Sequence, residues 1–280
     1  MKILLLSGEG LGNLIQQTPL NTALGKMYDV DLLYYDRRHL DYWEALIGSP
    51  YVNVLNPYTF CQDSLSKNYD LVIDTIGGNL KKVPCQVRFK KRFVWYNRPK
   101  RGSVNEVEEN MTIAYALGYK GEIPDLYVNY TPWPEKYDVA IQVDTSNDFR
   151  TYPYFKEVAD ILVKNYKVVL IGFKKDFKCP KCIDYRGKTT ILQYTGIIKN
   201  SEWIITSDSS ASHVAAAFKK KTVVIFGPAS ITKSSPWNNP NAIILTKNLP
   251  CSPCWPNYRY GCSRECLTSI KPEEIVECIK

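Results

Sequence analysis

No stretch of the 280 residues stays apolar for long. Nothing approaches the roughly 18 to 20 consecutive apolar residues that a membrane-spanning helix needs, which excludes a transmembrane reading. The N-terminal Met-Lys-Ile-Leu-Leu-Leu gives way to Ser7-Gly8-Glu9. That is short of the roughly 7 to 15 apolar residues of a secretory signal, and no small-residue cleavage site follows, so the expectation is a cytoplasmic chain. Glycine is sparse, 15 residues without a period, and no solenoid-length repeat is present, which excludes collagen-like and low-complexity classes. Histidine occurs only twice. What is there suits a folded protein: 45% of residues are hydrophobic and 23% charged, and the length sets a prior of about two domains.

The net charge of +8 is unevenly spread. Lys81 to Arg101 alone carries nine basic residues and no acid, interleaved with Phe89, Phe93, Trp95 and Tyr96. Such a stretch suits a surface that meets phosphates or anionic headgroups, and it equally suits a solvated strand pair with a buried aromatic face.

Short β-rich runs alternate with helical patterns. Strands are predicted at Lys2–Leu6, Val30–Tyr35, Leu71–Ile73 and Arg92–Trp95, and helices near Leu14–Met27 and Asn105–Leu117. A proline-containing segment around residues 123–136 interrupts this rhythm, and it restarts with strands at Val139–Val143, Lys167–Ile171, Trp203–Thr206, Thr222–Phe226 and Ile243–Leu245. Helices are predicted between and after them, near Tyr154–Lys164, Ile191–Lys199, Ala211–Phe218 and Pro272–Cys278. Alternation of this kind implies parallel sheets, hence an α/β fold of two Rossmann-like lobes, 1–132 and 133–280, facing a central cleft. In such sheets ligands sit beyond the carboxyl ends of the strands, which directs attention to the loops there.

Three such loops stand out. Ser7 to Asn13 contains Gly8, Gly10 and Gly12 and opens a helix; a dinucleotide fingerprint would place its third glycine where Asn13 stands, with Asp36 as the ribose acid. A nicotinamide-dependent oxidoreductase is therefore one reading. Thr145 and Ser146 offer hydroxyls, and Arg150 a charge-assisted fork, between a buried strand and a helix. Asp208-Ser209-Ser210 ends another apolar strand at a helix start, with His213 on the first turn, and Gly227-Pro228 closes the next strand beside it. The loops at Asp208-Ser209-Ser210 and Gly227-Pro228 together look like one diphosphate cradle.

Cys251, Cys254, Cys262 and Cys266 form a C-x2-C-x7-C-x3-C series, and Cys179 and Cys182 a further C-x2-C. In a reducing compartment clustered thiols favour a metal, so the four suit a structural zinc or iron knuckle, the alternative being unmetallated or bridged cysteines. With the basic stretch, a knuckle also suits a non-catalytic nucleotide- or nucleic-acid-binding protein.

Gly10-Leu11-Gly12-Asn13 with Thr18-Pro19-Leu20, the loop Thr145 to Arg150, the run from Gly187 through Asp208-Ser209-Ser210 and His213 to Ala217, Phe226-Gly227-Pro228 and Cys251-Ser252-Pro253-Cys254 together resemble glycosyltransferase family 9, the lipopolysaccharide heptosyltransferases. The resemblance implies a GT-B fold, an N-terminal acceptor lobe, and a C-terminal lobe holding a nucleotide-sugar donor, ADP-heptose or similar. It implies inverting transfer, without a catalytic metal, to a glycan, glycolipid or protein acceptor. It implies a donor site of Thr145, Ser146, Arg150, Asp208, Ser209, Ser210, His213 and Gly227. It also implies a general-base Asp where this chain has Asn13. An amide cannot take up the acceptor's proton. Either Glu9 in the same loop acts as base, or Asn13 only positions the acceptor, or the chain is a weak or inactive relative. Lys81 to Arg101 would then face an anionic glycolipid at the inner face of the membrane.

Overall fold

The computed structural model describes residues 1–8, 10–36, 39–60, 67–75, 87–94, 103–257 and 261–279. The chain divides into two compact units, Met1–Asn129 and Tyr130–Lys280. The sequence reading set the division three residues later; Tyr130 and Thr131 are drawn to the second unit by particular contacts. The Tyr130 ring packs edge-on against Phe218 at 5.6 Å, and the Thr131 amide donates to the Leu192 carbonyl at 3.0 Å.

The first unit holds a parallel sheet in the order β3-β2-β1-β4-β5, where β1 is Lys2–Ser7, β2 Asp29–Tyr34, β3 Asn53–Leu55, β4 Asn68–Asp74 and β5 Arg88–Val94. Parallel strands are covered on both faces, so the central one reads as a continuous apolar run, and Ile3, Leu4 and Leu5 are fully buried. Helix α1, Leu11–Gly25, buries most of its length despite the internal Pro19. Helix α2, Glu106–Ala116, packs beside it and starts with a capping box: Asn105 Oδ1 accepts from the Val107 amide at 3.0 Å, and Glu108 accepts from the Asn105 amide at 3.1 Å.

The second unit holds a six-stranded parallel sheet in the order β11-β10-β9-β6-β7-β8. Its strands are β6 Tyr137–Gln142, β7 Val168–Ile171, β8 Ile183–Asp184, β9 Ser201–Ser207, β10 Lys221–Ile225 and β11 Ala242–Leu245. The helices are α3 Phe155–Leu162, α4 Ile191–Asn200, α5 Ser210–Ala217, α6 Ile231–Ser234, α7 Glu265–Thr268 and α8 Pro272–Glu277. Val139 and Ile141 of β6, Ile205 of β9 and Val223 of β10 form one buried cluster with Phe155 and Val158 of α3. Because the strands run parallel, the loops after β6, β7, β9 and β10 gather at one edge. No helix among the described residues is long and apolar enough to cross a membrane.

Candidate functional site

In the first unit, β1 ends at Ser7, and α1 begins after Gly10, which caps it without a side chain. Glu9 lies outside the described residues. A buried polar ladder ties the strand ends to the helix: Gln17 Oε1 accepts from Ser7 Oγ at 3.0 Å and from Thr75 Oγ1 at 3.1 Å. Asn13 sits partly exposed on the first turn of α1, and its amide nitrogen stands 3.5 Å from Glu106 Oε1. Glu106 is only 6% exposed. An Asp in place of Asn13 would set two carboxylates against each other, whereas the amide offers a donor. Sequence reasoning passed over Glu106, since nothing local connects it to a residue 93 positions away.

Most of the basic stretch, residues 81–86 and 95–102, also lies outside the described residues. Within β5, Arg92 pairs with the fully buried Asp74 at 3.0 Å, and Lys90 with Asp70 at 2.6 Å. Part of the charge excess is thus neutralised across the neighbouring strand, while Phe89 and Phe93 are each 39% exposed.

In the second unit the loops after β6 and β9 meet through Arg150. Its Nη1 donates to Asp208 Oδ2 at 2.8 Å and to the Asp208 carbonyl at 3.2 Å, and its Nη2 donates to Ser146 Oγ at 2.8 Å. Asn147 caps the short 3-10 turn Asp148–Arg150, and Thr145 Oγ1 closes the same loop by donating to the Asn147 carbonyl at 2.6 Å. Ser209 is the N-cap of α5, its Oγ accepting from the Ala211 amide at 3.3 Å, and Ser210 Oγ lies 3.3 Å from the Tyr194 hydroxyl. Asp144 braces the adjoining loop: its Oδ2 accepts from the Phe173 and Lys174 amides, each at 2.7 Å. Gly172 has φ +118°, and an added Cβ there would lie 2.4 Å from Asp144 Oδ1. Residues 145–149, Lys174 and Arg264 line an open hollow of about 690 Å³ in this unit.

His213 lies inside this arrangement rather than at its surface, 4% exposed, with Nδ1 lacking a partner. Burial first, and then the Arg150 charge, pull the imidazole from 6.5 down to about 4. Below about pH 6.5 the unfolded chain gains a proton that the folded chain refuses until about pH 4. Stability should therefore fall across that window and owe nothing to this group above it. Urea unfolding should show wild type losing about 2 kcal/mol more than His213→Gln between pH 7 and pH 5. Equal losses would contradict this.

Gly227 has a packing role: an added Cβ would lie 2.5 Å from the Leu267 side chain. Of the four clustered cysteines, Cys266 is buried, Cys254 half-buried, and Cys251 and Cys262 exposed. Burial, and after it the neighbouring Cys251 and Cys262, push the Cys254 thiol up. Four thiols suit zinc or iron chemically, but among the described residues no three His, Cys, Asp or Glu side chains are grouped to hold a metal ion. Cys179 and Cys182, whose state the sequence left open, are joined in a disulfide; their Cα atoms lie 5.4 Å apart.

The two parallel sheets, each with its helices, make the fold a GT-B-like pair of Rossmann-like units, and solved structures share it. A glycosyltransferase family 9 structure from Veillonella parvula superposes with a TM-score of 0.76 at 15% identity, covering 99% of this chain and 95% of that one. The ADP-heptose lps heptosyltransferase II of E. coli gives 0.71 at 18% identity, covering 100% and 97%. Residues 128–266, nearly all of them in the second unit, match the family model described as Glycosyltransferase family 9 (heptosyltransferase). Lipooligosaccharide heptosyltransferase 2 of Campylobacter jejuni serotype O:6 is 39% identical over 94 residues, 34% of this chain and 30% of that protein. The match thus spans about a third of the length of that relative.

Proposed function

We propose that the chain is an inverting glycosyltransferase that moves heptose, or a closely related sugar, from ADP-heptose to a lipooligosaccharide-type acceptor. The observation that carries this reading is the Arg150–Asp208 pair, 2.8 Å, set between two strand-end loops of the family 9 segment. Arg150, Ser146, Ser209 and the amino end of α5 would hold the diphosphate, with Asp208, Ser210 and His213 orienting the donor. In the reaction the acceptor oxygen bonds to the anomeric carbon while the bond to the diphosphate oxygen breaks. The electron pair leaves with ADP, and the acceptor proton passes to a carboxylate, Glu9. Charge grows on the diphosphate as the sugar becomes oxocarbenium-like, so a fixed cation and helix amides stabilise the transition state more than the ground state. Asn13, with its amide nitrogen toward Glu106, would turn its oxygen to the acceptor hydroxyl.

A thermal-shift panel of ADP-, GDP-, UDP-, CMP- and dTDP-sugars, NAD and a short oligonucleotide tests the reading. Selective stabilisation by ADP-heptose, by roughly 4 kcal/mol at about 1,000 times the dissociation constant, is expected. A response to NAD alone or to the oligonucleotide alone would replace it with the oxidoreductase or nucleic-acid reading.

The reading includes a cytoplasmic protein peripheral to the inner face of the membrane, with Lys81 to Arg101 toward an anionic glycolipid. Charge reversal at Arg88, Lys91, Lys100 and Arg101 should abolish sedimentation with phosphatidylglycerol vesicles; unchanged sedimentation would remove this element. It also includes a structural zinc or iron on Cys251, Cys254, Cys262 and Cys266. Elemental analysis should find about one metal per chain, lost in Cys254→Ser, and a metal-free protein would remove that element.

A further inference from the structure

The four-cysteine segment has no part in the transfer as described, yet it reaches the donor loop at two points. The Arg150 guanidinium carbon lies 5.1 Å from the centroid of the Trp255 ring. Arg264 Nη1 donates to the carbonyls of Asp148 at 2.8 Å and Thr151 at 3.4 Å, the first residue of the 3-10 turn and the residue just after it. Both side chains come from an anchored backbone. The Cys254 and Trp255 amides donate to the Pro228 carbonyl, each at 2.9 Å, and Leu267 fills the space left by Gly227. Arg264 adopts the left-handed conformation, φ 56°, where it caps α7, and its amide donates to Cys262 Sγ at 3.4 Å.

Arg150 needs such support. Its Nη1 is held by Asp208 and its Nη2 gives one hydrogen to Ser146, while its Nε is buried without a partner. The plane of the guanidinium is then set by what lies against its face and by the turn that carries it. An aromatic face attracts a cation, and more strongly once both are removed from water.

We infer that Trp255 and Arg264 are positioning residues for Arg150, Trp255 fixing the face of its guanidinium and Arg264 fixing its backbone turn. This rests on the proposed role of Arg150 in donor binding. Trp255 and Arg264 touch neither donor nor acceptor in this account; they act through Arg150.

The test uses Trp255→Leu, Trp255→Phe, Arg264→Met and Arg264→Lys in the full chain. In the ligand-free protein the Arg150 Nε–H resonance, identified by its loss in Arg150→Lys, should move and exchange faster in Trp255→Leu and Arg264→Met, and stay close to wild type in Trp255→Phe. A resonance unmoved in the Leu and Met variants overturns the inference whatever the fate of the donor reading. Calorimetric titration with ADP-heptose should show binding about tenfold weaker in the same two variants, with Trp255→Phe restoring most of it. In an Arg150→Lys background, Trp255→Leu should add less than twofold. Wild-type binding retained in both variants, or a full tenfold loss added to Arg150→Lys, would overturn the inference while leaving the donor reading intact. Should Arg264→Met fail to fold, Arg264→Lys, which keeps a donor but not the fork, supplies the same comparison.

Discussion

Arg150→Ala should reduce ADP-heptose affinity by on the order of 100-fold or more and lower folding stability by about 3 kcal/mol. The two losses have separate causes. Arg150 and Asp208 have side chains only 16% and 6% exposed, so removing the cation takes a charge partner from a buried carboxylate. The loss of binding comes from removing the charge-assisted fork that would face the diphosphate. The double variant Arg150→Met/Asp208→Asn separates them: stability should recover most of the way, because both charges of the buried pair are removed together, while affinity should not. Isothermal titration and urea unfolding on the three proteins read both quantities. Recovery of affinity together with stability would mean that Arg150 serves the fold and not the donor.

The second large effect concerns the proton. Glu9→Gln should lower the turnover of ADP-heptose with a lipooligosaccharide acceptor by 10²- to 10⁴-fold, with donor affinity unchanged. Adding Asn13→Asp to that variant should restore much of the rate, since it places a carboxylate on the first turn of α1. That carboxylate would stand close to Glu106, 3.5 Å from the present Asn13 amide, and two carboxylates in one place raise the pKa of one of them. The restored activity should therefore need a higher pH. Full activity in Glu9→Gln with a collapse in Glu106→Gln would move the base to Glu106. If both single variants keep full activity, neither carboxylate carries the step.

Much of the architecture was legible because buried parallel strands are written as short apolar runs. Lys2–Ser7 and Ser201–Ser207 read as strands on sight. Asn53–Leu55 and Ile183–Asp184 did not, since three and two residues carry no period. The strand-end loops were legible for a related reason. Asp208-Ser209-Ser210 follows a buried run directly, and polar residues there have only a helix start or a ligand to serve. Contacts made by the fold alone were not legible. Arg150 meets Asp208 across 58 positions, Asn13 meets Glu106 across 93, and Arg264 meets Asp148 across 116. His213 was read from the sequence as a donor-site residue on the first turn of its helix, with nothing to say that it is buried. Its burial comes from the way α5 packs between neighbouring elements, and its position four residues beyond the N-cap Ser209 gave no sign of that. Spacing left the state of Cys179 and Cys182 open, and they hold a disulfide.

The central claim is that the second unit binds a nucleotide-sugar through Arg150, and calorimetric titration of the intact chain with ADP-heptose tests it most directly. The account predicts one site per chain, weakened at least 100-fold in Arg150→Ala and likewise in Arg150→Met/Asp208→Asn. No heat with ADP-heptose or any other nucleotide-sugar, or binding that survives in both variants, would contradict it.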